Sequence, residues 1–184
     1  EGDTHYAVGP GLPELRAAIC KKLRGDNGIF CDENRILVTP GGKNAIYLAV
    51  HAVLNEGDEV IILDPSWVSY EPIVQSAGGN TVRVKLDYRE NYRITAEKLE
   101  QAYTEKTRML IINYPNNPTG RILHEDEAKV LENFLLSHPN VYLLSDEVYE
   151  ALVYDGSRSV SMGSFESIAD RVITVHGLYK SCAM

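Results

Sequence analysis

The chain has 184 residues, of which 44% are hydrophobic and 24% charged, and its formal net charge is −8 at pH 7. This length allows one well-packed core but not two ordinary domains, and the composition is typical of a soluble globular protein. The negative charge argues against nucleic acid or an anionic membrane as the main partner, because both select basic surfaces, although a few local donors could still bind an anionic ligand.

The cysteines and histidines give no sign of a metal site. The chain has three cysteines, an odd number, at Cys20, Cys31 and Cys182. Neither these cysteines nor the five histidines have the spacing of metal ligands. We therefore expect reduced, mostly buried thiols and no bound metal. The sequence also has no signal-like segment and no long apolar run, so a cytoplasmic protein without a membrane partner is predicted.

Helix-type and strand-type patterns alternate along the chain. Proline at a first helical position, followed by apolar residues at helical spacing, predicts a helix over residues 13–23. The segments that follow are, in chain order, a strand at 36–39, a helix from the Gly41-Gly42 pair to 54, a strand at 59–63, a helix at 68–77, a strand at 81–86, a helix at 96–103 with Thr95 as its N-cap, a strand at 109–113, a helix at 125–136, and strands at 141–145 and 172–175.

These repeated strand–helix–strand units indicate the fold class. Their strands are nearly continuous apolar runs, which is typical of a mostly parallel sheet with helices on both faces. No low-complexity stretch, charge block or linker interrupts the pattern. We predict one α/β domain, a three-layer α/β/α arrangement, over residues 1–184.

Unusual residues follow five of the predicted strands. Ligands of open α/β sheets bind beyond the carboxyl ends of the strands, so residues at these ends are candidates for a shared site. In chain order they are Gly41-Gly42-Lys43, Trp67, the turn Asn116-Asn117-Pro118-Thr119-Gly120, Asp146 with Tyr149, and Lys180.

Three of these features have both an ordinary structural interpretation and a ligand-binding one. The glycine pair before a helix is either an ordinary strand–helix turn or an anion cradle, since free N–H groups and the helix dipole would face the ligand. Trp67 either caps the core or stacks on a ring. The Asn-Pro-Thr-Gly segment is either simple turn chemistry or a rigid support for the Asn117 amide.

The remaining candidates are ionisable. Asp146 ends an apolar strand, where it is either a helix N-cap or a carboxylate paired with a buried cation. Tyr149 either packs or reaches the same pocket. Lys180 is either a surface lysine or a functional amine.

Taken together, these residues resemble the class I aminotransferases of pyridoxal-phosphate (PLP) fold type I, in particular the bacterial-type aspartate aminotransferases. The resemblance runs in colinear order through essentially all 184 residues. Its anchors are Tyr6 with the segment 11–16, Gly41-Gly42-Lys43, the segment 65–70, Asn116-Asn117-Pro118-Thr119-Gly120, Ser145-Asp146-Glu147-Val148-Tyr149-Glu150, and Gly177-Leu178-Tyr179-Lys180 with Ala183-Met184.

The resemblance implies pyridoxal 5′-phosphate as cofactor and gives roles to four residues. Lys180 would attach to the cofactor and then move the substrate proton, and Asp146 would pair with the ring nitrogen. Asn117 and Tyr149 would donate to the phenolic oxygen of the ring. Lys180, Asp146 and Tyr149 are thus the expected catalytic residues.

The resemblance also implies how the rest of the cofactor is held. Trp67 would stack on the ring, and the amides of Gly41, Gly42 and Lys43 would bind the phosphate. Tyr6 would reach the phosphate of a neighbouring subunit, which implies a homodimer. Lys43, Trp67 and Asn117 would also contact the substrate, and Lys43 favours an acidic amino acid.

Some positions depart from the family's pattern. Many members have serine where this chain has Gly177, although the aspartate subgroup often has glycine there, and a small residue is usual where this chain has Tyr179. The family's N-terminal arm, last sheet strand, small domain and two cofactor- or substrate-binding arginines have no counterpart in the sequence. The chain is therefore predicted to be a fragment of the PLP-binding large domain that is inactive on its own.

The resemblance predicts an aminotransferase acting on an α-amino acid, with aspartate and 2-oxoglutarate as the preferred pair. A PLP-dependent β-lyase or a cyclopropane-forming synthase of the same fold remains an alternative, because the cofactor supports several reactions. A catalytically silent binding or regulatory homologue is a second alternative, against which the intact set of Lys180, Asp146, Asn117 and Tyr149 argues.

Overall fold

The computed structural model describes residues 8–184, which form a five-stranded sheet with the order β2-β1-β3-β4-β5. Every strand pair in it is parallel. The strands are β1 Glu59–Asp64, β2 Asn80–Lys85, β3 Thr107–Asn113, β4 Tyr142–Asp146 and β5 Val172–Val175.

Helices connect these strands on both faces of the sheet. They are α1 Pro13–Lys22, which continues as a π-helix over Leu23–Asn27, α2 Gly42–Val53, α3 Tyr70–Ser76, α4 Ala96–Ala102, α5 Glu125–Ser137 and the single turn α6 Leu178–Ser181. Short 3₁₀ segments lie at Glu33–Arg35, Tyr88–Glu90, Met162–Ser164 and Ala169–Arg171. In the described part of the chain, none of the helices combines the length and the apolar character needed to cross a bilayer.

The two faces of the sheet carry separate hydrophobic layers, because successive side chains of a strand point in opposite directions. In β1, Val60 and Ile62 pack in the layer that contains α2 and α3. Ile61 and Leu63 pack in the layer that contains α4 and α5. The predicted three-layer α/β/α fold with a parallel sheet is therefore confirmed.

Most predicted elements are found within two residues of their expected bounds, and Thr95 caps α4 by accepting from Lys98 N–H at 3.4 Å. The predicted strand at 36–39 is wrong. That segment makes no sheet ladder, and the N–H of Val38 bonds instead to the carbonyl of Pro10 at 2.9 Å. A β-branched run becomes a strand only where a neighbouring strand can pair with it.

The cysteines are less buried than expected. Cys20 and Cys31 are half-buried free thiols with their Sγ atoms 3.8 Å apart, and Cys182 is exposed. Burial raises the pKa of Cys31 to about 11, and the adjacent Cys20 contributes to this shift. The expectation of mostly buried thiols is wrong for Cys182. This residue lies after the last strand, and no other described element packs over it.

Candidate active site

A cavity of about 280 Å³ lies at the carboxyl ends of the strands. Its lining includes eight of the nine residues that the sequence predicted for the site: Gly41, Gly42, Lys43, Trp67, Asn117, Asp146, Tyr149 and Lys180. The ninth, Tyr6, lies outside the described residues. Parallel pairing explains the convergence, because the last residues of β3 and β4, Asn113 and Asp146, are direct neighbours in register.

Asp146 lies at the bottom of this cavity and is only 4% exposed. Its Oδ2 accepts a hydrogen bond from the Tyr70 hydroxyl at 2.6 Å, and its Oδ1 accepts from Val148 N–H at 3.3 Å. Burial raises the pKa of the carboxyl group, and these bonds together with the nearby His176 and Lys180 side chains offset only part of the rise.

The helix N-cap interpretation of Asp146 is wrong. The chain continues from Asp146 as a turn, so there is no helix for this carboxylate to cap. A buried carboxylate with a raised pKa is poorly satisfied by its surroundings, which suits a group that awaits a cationic or N–H partner.

Tyr70 and Asn113 belong to the site but were missed by the sequence reasoning. Tyr70 is 2% exposed, and its ring meets Trp67 edge-on with the centroids 5.3 Å apart. Asn113 donates to the Asp146 carbonyl at 2.9 Å and accepts from Asn117 N–H at 2.8 Å. A polar residue at the end of an otherwise apolar strand was the available signal for Asn113. Tyr70 lies in the segment 65–70 that carried the resemblance, but no role was predicted for it.

Asn117 and Tyr149 converge on one point in the cavity. The Asn117 side-chain amide donates to the Tyr149 hydroxyl at 3.5 Å. The preceding residue, Asn116, fixes the turn, since its Oδ1 accepts from both the N–H and the hydroxyl of Thr119 at 3.1 and 2.8 Å. Two neutral donors are thus held side by side facing the cavity.

The opposite wall is the N-terminus of α2. Gly41 has a φ of 89°, a left-handed conformation that favours glycine, and it turns the chain into the helix so that the first N–H groups face the cavity. The ammonium group of Lys43 lies 5.0 Å from the centre of the Trp67 ring. The Gly41 N–H is already bonded to the Thr39 carbonyl at 2.7 Å, so it is not free to bind a ligand. This wall combines the positive end of a helix, the ammonium group of Lys43 and a flat aromatic face.

Lys180 enters from α6, just beyond β5. Its Nζ lies 5.4 Å from the ring centre of Tyr149 and 5.7 Å from that of Tyr179. The amine is thus placed between two aromatic rings and next to the other polar groups of the cavity.

A second polar cluster lies behind the site. The imidazole of His176 lies between two carboxylates, with Nδ1 3.2 Å from Glu150 Oε1 and Nε2 3.7 Å from Glu147 Oε2. Burial would raise the pKa of Glu150, but its contacts with His176, and then with Asn27 and Lys22, lower it to about 2. One ligand atom from each of Glu147, Glu150 and His176 lies within 4.8 Å of the others, although Lys22 already pairs with Glu150.

The two glutamates in this cluster differ in environment. Glu147 is 4% exposed, and burial raises its pKa while its Oε1 accepts from the Ser145 and Ser161 hydroxyls at 2.8 and 3.0 Å. The cluster joins the ends of β4 and β5 to the end of the first helix, and so it supports the floor of the cavity.

The chain resembles known proteins in family, sequence and structure. The family described as aminotransferase class I and II matches residues 1–184. Among curated proteins, the aspartate aminotransferases of Bacillus sp. (strain YM-2) and Rhizobium meliloti (strain 1021) are 40% and 41% identical to it over its full length. The chain covers 47% and 45% of these two proteins, so it spans about half the length of the curated relatives it matches.

Solved structures give the same result. The aromatic aminotransferase from Pyrococcus horikoshii OT3 matches with a TM-score of 0.95 and 41% identity over 98% of this chain and 48% of its own. The aspartate aminotransferase from Rhizobium meliloti matches with a TM-score of 0.96 and 40% identity over 100% of this chain and 46% of its own. With the fold, the cavity and a family match over its whole length in agreement, the chain belongs to the aminotransferase class I and II family.

Proposed function

We propose that the complete protein is a PLP-dependent aminotransferase that moves an amino group between an α-amino acid and a 2-oxo acid. Aspartate is the preferred donor and 2-oxoglutarate the preferred acceptor. The observation that carries the proposal is the convergence of Lys180, Asp146, Asn117 and Tyr149 with the α2 N-terminus in a single cavity.

The polar groups of the cavity fit those of the cofactor one by one. The buried Asp146 carboxylate suits a protonated ring nitrogen. The positive charge of this nitrogen would compensate for the water that the carboxylate loses on burial. The Asn117 amide and the Tyr149 hydroxyl suit the phenolic oxygen. The N–H groups at the start of α2 suit the phosphate, and the Lys180 amine suits the aldehyde.

When bound, PLP supplies an electron sink for negative charge that develops at the substrate Cα. Asp146 keeps the ring nitrogen protonated, while Asn117 and Tyr149 stabilise negative charge on the phenolic oxygen. Lys180 would act through its Nζ as the base that takes the proton from the substrate Cα and as the acid that gives it back. Trp67 holds the ring in place from one face.

Lys43 supports an acidic substrate. Its ammonium group lies on the cavity wall beside Trp67, where it could bind a distal carboxylate. Relatives at similar identity are named aspartate, aromatic-amino-acid and aspartate/prephenate aminotransferases. Aspartate is common to most of these names and matches the charge of Lys43.

The two alternatives are less favoured. A β-lyase or a cyclopropane-forming synthase would use the same cavity residues, but the similar proteins bear aminotransferase names. A silent homologue would not need Lys180, Asp146, Asn117 and Tyr149 to meet in one cavity, as they do here.

We further propose that the complete protein is a cytoplasmic homodimer in which Tyr6 reaches the neighbouring cofactor phosphate. Large exposed apolar side chains support an interface, among them Val8, Leu12 and Leu37. Val8 and Leu12 lie on one segment and Leu37 on another, and the hydrogen bond from Val38 N–H to the Pro10 carbonyl holds the two segments together. The half-buried free thiols Cys20 and Cys31 are compatible with a reducing compartment.

The first test is the visible absorbance of the complete protein with added PLP. Wild type is expected to show a visible band that aspartate bleaches, and Lys180→Ala is expected to lose the band because the attaching amine is gone. Lys85→Ala, which removes an exposed lysine at the far edge of the sheet, is the matched control and keeps the band.

Each other result has a definite meaning. A band that responds to another amino acid but not to aspartate would replace the donor. A band that survives in Lys180→Ala, or no band in wild type, would contradict the proposal. Release of ammonia or of a β-substituent in place of amino transfer would favour the lyase alternative.

A further inference from the structure

Tyr179 lies against the N-terminus of α2, although it belongs to the segment after β5. A Cβ atom placed on Gly42 would lie 2.5 Å from the Tyr179 hydroxyl oxygen, so this hydroxyl touches the first residue of α2. Tyr179 also lines the cavity together with Lys43 and Lys180. Its hydroxyl therefore lies at the N-terminus of α2, beside the backbone N–H of Gly42.

Two glycines make room for this ring. A Cβ on Gly177 would lie 2.3 Å from Tyr179 Cε1 and 2.8 Å from Cδ1. The φ of Gly177 is −171°, an extended conformation that any residue adopts, so glycine is required there by space alone. A side chain at Gly42 would likewise clash with the hydroxyl end of the ring. The position of Tyr179 thus depends on the absence of side chains at two other sites.

The electrostatic setting keeps the phenol protonated. Burial raises the pKa of Tyr179, the carboxylate of Asp146 raises it further, and the backbone N–H of Gly42 offsets only part of the rise. A protonated phenol is a hydrogen-bond donor at neutral pH. A donor beside the positive end of a helix adds to the attraction for an anion.

We propose that the Tyr179 hydroxyl is an additional phosphate-binding donor, which turns its O–H towards the phosphate oxygen bound at the N-terminus of α2. The ring crosses over Gly177, and the hydroxyl adds a side-chain donor at the N-terminus of the helix. This inference rests on the proposed function, since the phosphate belongs to the cofactor that the cavity residues fit.

The test compares PLP with pyridoxal, which has the same ring and aldehyde but no phosphate. Dissociation constants for both are measured by absorbance on the complete wild-type protein and on Tyr179→Phe. Tyr179→Phe is expected to lose about tenfold to a hundredfold in affinity for PLP, the effect of a hydrogen bond to a charged group, and little for pyridoxal. The ratio of the two affinities isolates the phosphate contact from any general effect on the ring site.

Three controls make the result specific. Tyr154→Phe removes the hydroxyl of a tyrosine that is 73% exposed and should leave the ratio unchanged. Gly177→Ala displaces the Tyr179 ring and should reduce the ratio as Tyr179→Phe does, and the double variant should lose no more than either single one. Thermal unfolding of each cofactor-free variant shows that the fold is retained.

The outcomes separate this inference from the proposed function. An unchanged or increased ratio of PLP to pyridoxal affinity in Tyr179→Phe overturns the phosphate contact, and an increase would mean that the phenol competes with the phosphate. If wild type forms no Lys180-dependent band with either compound, the proposed function fails instead.

Discussion

At the scale of single residues, Asp146 shows how a site residue works against stability. The carboxyl group is 4% exposed and has Tyr70 as its only side-chain hydrogen-bond partner within residues 8–184. Its folded pKa is raised by burial above the ordinary value of 3.8. Because the folded protein then binds the proton more tightly than the unfolded chain, the ionised group costs stability above the folded pKa, and this cost disappears as the pH falls below it.

Replacing Asp146 by asparagine should remove this cost. We expect the cofactor-free Asp146→Asn protein to be more stable than wild type by about 1 kcal/mol at pH 8, with the gain shrinking at acidic pH. The same variant should lose aminotransferase activity, since an amide does not hold a proton on the ring nitrogen. Urea unfolding at several pH values measures the gain, with Asp26→Asn on the exposed surface as control. A loss of stability at pH 8 would show that burial of the carboxylate is already compensated.

At the scale of elements, a buried ion pair fixes the Asn-Pro-Thr-Gly turn to the start of α5. Arg121 and Glu127 have side chains that are 8% and 1% exposed, and the guanidinium meets the carboxylate through two nitrogens. Glu127 also accepts from Ile94 N–H at 2.7 Å. The turn that carries Asn117 is thus tied to α5 and to the segment before α4 through one carboxylate.

Removing one partner should be costly because the other is left buried and charged. Glu127→Ala is expected to lower the free energy of unfolding by about 3 to 5 kcal/mol, and Arg121→Met with Glu127→Leu should recover most of it. The neighbouring Asp126, whose ion pair with Arg93 is exposed, provides the control, since Asp126→Ala should change stability little. Urea unfolding of the four proteins measures this. A double variant as unstable as Glu127→Ala would contradict the ion-pair explanation.

At the scale of the whole molecule, the proposed homodimer would build each site from both subunits. Lys180 and Asp146 line the same cavity of one chain, whereas Tyr6 is proposed to act in the neighbouring one. This arrangement would make two individually defective chains complementary, because the symmetry of a dimer creates two sites with different combinations of residues.

Mixed dimers of Tyr6→Phe and Lys180→Ala subunits should regain activity. In each mixed dimer one site has both Lys180 and a native Tyr6, so co-refolding equal amounts should give about one quarter of wild-type activity at limiting PLP. A mixture of Lys180→Ala with Asp146→Asn is the control and should regain none, since both residues belong to the same chain's site. Activity no higher than that of the separate variants would rule out the shared site.

The sequence alone determined much of this protein. Apolar runs such as that in β3 and the residues after them, including Asn117, Asp146 and Lys180, were sufficient to predict a parallel sheet and a site at its carboxyl edge. These features depend on neighbours along the chain and on the general rule that parallel strands end at one edge, so they need no knowledge of side-chain packing.

Only the tertiary structure decided the rest. Residues 36–39 have a strand pattern but no ladder, because pairing depends on a distant neighbour. The bond from Tyr70 to Asp146 joins residues 76 positions apart, and the Tyr179 hydroxyl meets Gly42 only because two helices start beside each other. Contacts of this kind arise from how whole elements pack, which local sequence patterns do not specify.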